Sequence, residues 1–182
     1  MGEPTLHPPV LLIMAATSRY EEALTWAADR AGQVWGRIAD RSELFDFTET
    51  DYYRSTMGGD LRKQFFAFEG PLDPSRLPEI KLQSGEWEEE YIRLGRHPEP
   101  RPLNLDPGYL TAAKLVLAST KDHSHRLYLD RGIFAEVTLY FRQGRWQHRE
   151  WTYPDYRRDD FQAFFLRLRD GWQRRSKEAL PS

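Results

Sequence analysis

The chain has 182 residues with a formal charge of −2, and 40% of its residues are hydrophobic and 30% charged. This is the profile of one ordinary globular domain rather than a disordered or collagen-like chain. Cysteine is absent, which removes disulfides, thiolate nucleophiles and Cys-based zinc sites. The pI of about 6.2 makes no demand for nucleic acid, and aromatics at 14% predict a core that leans on Phe, Tyr and Trp.

Residues 1–9 carry three prolines and little apolar content and read as a loose tail before a single domain over residues 10–179. Residues 10–16 form the longest apolar run, matching a strand buried on both faces. That run is too short to span a bilayer and follows no basic segment, so the chain is expected in the cytoplasm with no membrane partner. Thr17 or Ser18 can cap a helix to about Ala31, ended by Gly32 and with Glu21 and Glu22 in its first turn. Strands are predicted over 34–39, 44–47 and 63–68, separated by the loop Met57-Gly58-Gly59-Asp60. A second helix begins at Asp73-Pro74-Ser75 and runs to about Arg93, with Leu77, Ile80, Ser84, Trp87, Tyr91 and Leu94 inward.

Residues 103–105 read as a short strand, and Asp106-Pro107-Gly108-Tyr109 fits a type II turn, with Pro at its second position and Gly at its third. Residues 112–120 are open to helix or strand. Strands follow over 125–129 and 133–141, and a two-residue Gln143-Gly144 turn folds 146–153 back onto the latter. Asp159 or Asp160 caps a last helix to about Ala179, with Phe161, Phe164, Phe165, Leu168 and Trp172 inward. The sum is an α+β domain with a largely antiparallel sheet and three helices packed on one face. Its element order is compatible with a ferredoxin-like core plus an added hairpin.

The words NLDPGYL, KDHSHRLYL, GIFAEVTLYF and WTYPDY, with Lys81 and Glu88 on the second helix, resemble an uncharacterised bacterial and archaeal family, a domain of unknown function of about this length. The resemblance covers nearly the whole chain but implies no activity. Some members carry a GTP-binding label. Here no G-x-x-x-x-G-K-[ST] loop is present to wrap phosphates, nor an Asn-Lys-x-Asp segment, and Met57-Gly58-Gly59-Asp60 reads as a plain turn.

Three constellations could carry chemistry. His123 and His125, on one face if the strand starts at His123, could share a metal with Asp106 or Glu136; the plainer reading makes His125 a histidine at the core edge. Lys121, His125 and Arg126, with Lys81, Lys114 and Arg19 as further cations, could bind a phosphate or carboxylate, against a solvated charged strand end. Glu136 interrupts an apolar strand and needs a partner; the hairpin register suggests an ion pair with Arg149.

The leading expectation is a protein binding a small anionic ligand, phosphorylated or nucleotide-like. Lys81, Asn104, Asp106, Lys121, Arg126 and Glu136 would line its site, with His125 as the acid–base residue should chemistry occur. One alternative is a metal-dependent hydrolase on His123, His125 and a carboxylate. The other is a protein- or RNA-interaction module presenting 151–156 and the basic residues Arg167, Arg169, Arg174, Arg175 and Lys177. No cofactor and no oligomeric state is predicted.

Overall fold

The computed structural model describes residues 2–50 and 52–178, which form nine strands and four helices. In chain order these are β1 (Val10–Ser18), α1 (Glu21–Trp35), β2 (Ile38–Arg41), β3 (Phe45–Asp46), the single turn α2 (Arg54–Met57), β4 (Arg62–Leu72) and α3 (Leu77–Arg93). There follow β5 (Asn104–Leu110), β6 (Lys114–Ser119), β7 (Leu127–Asp130), β8 (Ile133–Arg142), β9 (Arg145–His148) and α4 (Asp159–Glu178). One sheet runs β2-β4-β1-β5-β6-β8-β7, with β3 added to β4 and β9 to β8, and every pairing is antiparallel.

The first half has the split βαβ connectivity of a ferredoxin-like core. β1–α1–β2 steps over β4, and β4–α3–β5 steps over β1. β6 to β9 extend that core into a wider sheet. The helices do not share one face, as the sequence reading had them. Val10, Leu12, Met14 and Ala16 of β1 pack under α1 and α3, while Leu11, Ile13 and Ala15 pack against Phe161, Phe164, Phe165 and Leu168 of α4. A strand apolar on both faces needs a layer on each side, and α4 supplies the second.

Several element ends shift. α1 runs through Gly32 to Trp35 and stops at Gly36, whose φ of 103° suits glycine. Val34 therefore belongs to the helix, and Leu94, predicted inward, is exposed just past α3. Residues 114–119 are a strand, and the Gln143-Gly144 turn has both residues at positive φ, 54° and 79°, as a type I′ hairpin requires. The last helix is described to Glu178; Ala179, its predicted end, lies outside the described residues.

The largest correction concerns Asp106-Pro107-Gly108-Tyr109, which is the middle of β5 and not a turn. Pro107 is tolerated because of its register. The Leu105 N–H and carbonyl are both bonded to side chains of α3, so they point away from β1. Two residues on, the missing N–H of Pro107 faces the same way, where the ladder to β6 begins only at Gly108. Gly108 is required by proximity: a Cβ there would lie 2.2 Å from the Val116 carbonyl oxygen and 2.8 Å from the Leu117 side chain.

Candidate functional site

β5 and β6 pair only from Gly108 to Leu110, so the first four residues of β5 part from the end of β6 and leave a wedge in the sheet. On one bank, α3 fills the place of a partner strand. Lys81 donates to the Leu105 carbonyl at 2.8 Å, and Glu88 accepts from the Leu105 N–H at 2.7 Å. Lys81 also meets Asp106 at 3.2 Å, Asn104 donates to Asp106 at 2.6 Å, and Arg101 bridges Glu88 at 2.8 Å to the Asn104 side-chain Oδ1.

The far bank is β8 and the 119–127 loop. The buried Glu136 carboxylate accepts from Arg126 at 2.8 Å, lies 3.2 Å from His125 Nε2 and takes the Thr138 hydroxyl at 3.2 Å. Arg126 donates further to Ser119, to the Lys121 carbonyl and to the Tyr153 hydroxyl. A further buried pair, Lys63 with Asp155, closes the site toward β4, its ammonium over the rings of Phe47 and Tyr156. The Tyr156 hydroxyl is buried without a partner among the described residues.

Burial by itself would raise the Asp106 carboxyl; Lys81, Lys63 and the Asn104 amide outweigh it and hold the group below the usual carboxylate range. Glu88 goes the other way, its burial exceeding the pull of Arg101 and Lys81. The Tyr53, Tyr153 and Tyr156 phenols are all pushed up, first by burial and then by the neighbouring carboxylates, Asp106 among them in each case. Asp106 and Glu136 both act on Tyr153, which stands between the two banks.

Of the residues picked from sequence, Lys81, Asn104 and Asp106 gather on one bank, and His125, Arg126 and Glu136 on the other. Lys121 sits at the mouth, bonded to the Tyr52 hydroxyl and over its ring at 4.4 Å, with no described carboxylate as partner; its hydrogen bond lowers the Tyr52 phenol. Lys114 and Arg19 are not part of the site: Lys114 starts β6 at the opposite end, and Arg19 pairs with Glu99. The predicted Glu136–Arg149 pair does not form. β9 stops at His148, short of the register that would bring 149 beside 136, and Arg149 lies over Tyr140.

His123 and His125 lie in a loop before β7, not on a strand face. Their rings stack at 5.8 Å, and the His125 ring stacks on Trp151 at 5.3 Å. Among the described residues no three His, Asp or Glu side chains gather as a metal site. Met57-Gly58-Gly59-Asp60 closes α2, the Gly58 N–H returning to the Arg54 carbonyl. Within 151–156, Trp151 and Tyr153 are exposed, the Tyr153 hydroxyl held inward by the buried Arg126, while Thr152, Asp155 and Tyr156 are buried. On α4, Arg167 pairs with Asp40 and Arg169 lies over Phe141; the Lys177 side chain lies outside those described.

Sequence reasoning missed Lys63, Arg101 and Asp155. Lys63 carried a signal, a lysine opening a Phe-rich strand. Two open grooves lie elsewhere: one of about 440 Å³ beside Arg19, Asp46 and Asp60, and one of about 520 Å³ between β9 and the start of α4. No helix among the described residues is long and apolar enough to cross a membrane.

A family model described as a domain of unknown function (DUF4416) matches residues 8–172. No curated protein and no solved structure matches the chain.

Proposed function

We propose, from the premise that the chain belongs to that family, that it binds a small anionic ligand, phosphorylated or nucleotide-like, at the mouth of the β5–β6 wedge in the cytoplasm. The observation that carries this reading is a contrast in charge. The wedge floor is internally compensated, with Lys63, Lys81, Arg101 and Arg126 each held by a carboxylate. Lys121 at the rim has none among the described residues, so an incoming anion would meet it without breaking a buried pair.

In this reading Lys121 and the Tyr52 hydroxyl bond the anion, and the Tyr153 phenol, oriented by Arg126, offers a third contact. The stacked His123, His125 and Trp151 rings border the mouth and offer an aromatic wall to a planar group. His125 is held by Glu136 on one nitrogen, an arrangement suited to proton exchange with a ligand should a reaction occur. The hydrolase alternative draws less support, since Glu136 is already shared by Arg126, His125 and Thr138.

A thermal-shift panel of nucleotides and phosphorylated metabolites tests the proposal, because a ligand that binds the native state raises Tm by mass action. At least one member should stabilise the protein, and Lys121→Ala should abolish that shift while leaving the unliganded Tm in place. No stabilisation across the panel, or a shift indifferent to Lys121→Ala, overturns it.

A further inference from the structure

We propose that the groove between β9 and the start of α4 receives an extended segment of a partner protein in which acidic and apolar residues alternate. Among the described residues β9 pairs with β8 alone, which leaves its other edge open there. The two-residue turn makes Arg142 and Arg145 the first hydrogen-bonded pair of the hairpin, and the pattern alternates from there. Trp146 and His148 therefore turn their main-chain N–H and carbonyl groups outward. The Phe141 N–H, opposite Trp146, agrees: it leaves β9 and donates to the Ala113 carbonyl.

Four arginines lie along this hairpin and the turn after it. Arg142 and Arg145 face each other across the hairpin, Arg149 and Arg157 follow β9, and none of the four is paired with a described carboxylate. Arg149 lies 4.2 Å from the centre of the Tyr140 ring, and Arg157 donates to the Thr152 and Glu150 carbonyls. Arg19, Arg30, Arg37, Arg62, Arg158 and Arg167, by contrast, all hold carboxylates. His148 ends the strand beside them, and Glu150 and Asp159 stand against the four cations.

Opposite the edge, α4 contributes Ala163 and Leu166 to the groove wall, with Gln162 beside them. An added strand would bond its main chain to Trp146 and His148 and set one row of side chains on Ala163 and Leu166. Its other row would meet the arginines, which is where acidic residues belong. Single-stranded RNA fits less well, because among the described residues of β9 Trp146 is buried and His148 is the one exposed ring that could stack on a base.

The experiment is fluorescence anisotropy with a labelled octapeptide alternating Glu and Val, a copy N-methylated at alternate main-chain nitrogens, and an oligouridylate of matched charge. The plain peptide should bind, with affinity that falls as salt rises. Arg145→Glu and, separately, Arg142→Ala with Arg145→Ala should weaken it tenfold or more without lowering Tm, and the methylated copy should lose binding. Lys121→Ala should leave peptide binding unchanged, which separates this edge from the wedge. Absence of peptide binding, equal binding of the methylated copy, indifference to the arginine variants, or tighter binding of the oligouridylate each overturns the proposal.

Discussion

The two halves of β5 satisfy the same kind of backbone in different ways. From Gly108 to Leu110 the strand is flanked by β1 and β6, and its main chain is tied on both sides. From Asn104 to Pro107 only β1 remains, and the outward groups of Leu105 are met by Glu88 and Lys81 from α3. Side chains replace a strand at the cost of bringing ionisable groups inside, and those groups then need counter-charges. The buried pairs of the wedge follow from that one divergence, since an uncompensated charge there would be expensive. The paired half needs only shape, and Gly108 supplies it.

Substitutions on either side of the divergence should separate these two modes. The largest effect is expected across the wedge: Glu136→Ala strands the Arg126 guanidinium in a buried site and should cost about 3–5 kcal/mol in urea unfolding. A loss below about 1 kcal/mol would mean that water already compensates Arg126. Gly108→Ala comes next, at about 3 kcal/mol, because the new methyl would have to displace the β6 backbone rather than a flexible side chain. Near-wild-type stability in that variant would show that β5 and β6 can separate freely.

A smaller, pH-dependent effect belongs to Asp106. Its folded-state pKa lies below the unfolded value, so its stabilisation is present above the unfolded pKa and is lost as pH falls through the folded one. Glu88, raised by burial, acts with the opposite sign: its contribution favours the folded state at low pH and fades as pH rises. Asp106→Asn should therefore flatten the acid limb of stability measured between about pH 5 and 2, and an unchanged limb would contradict the assignment. Lys121→Ala should be the mildest, within about 0.5 kcal/mol of wild type by thermal melting, as expected of an exposed side chain at a rim. A larger loss would make Lys121 part of the packed floor.

How much of this was legible varied with the range of the interaction. The start of the last helix, with Asp159 and Asp160 in its first turn rather than at the cap, and the Gln143-Gly144 hairpin were readable because acidic first turns and type I′ turns are decided within a few residues. The DPGY segment misled for the same reason. Pro followed by Gly is a strong local turn signal, yet here both answer to neighbours far along the chain, Val116 and the side chains of α3. Glu136 was correctly read as needing a partner. The partner proved to be Arg126, because the hairpin ladder ends before Arg149 can come alongside.

The sequence by itself determined the α+β class, the antiparallel character, the doubly buried first strand and the requirement that Glu136 be paired. Each of these rests on periodicity, local backbone preference or the energetics of a single buried group. Only the tertiary structure decided that the helices cover both faces, that β5 and β6 part at Gly108, and that Lys63, Lys81, Arg101 and Arg126 meet their carboxylates around the gap. Those outcomes depend on which strands become neighbours and where their ladders stop. Register between segments far apart in the chain is set by packing of the whole core rather than by any short stretch of residues.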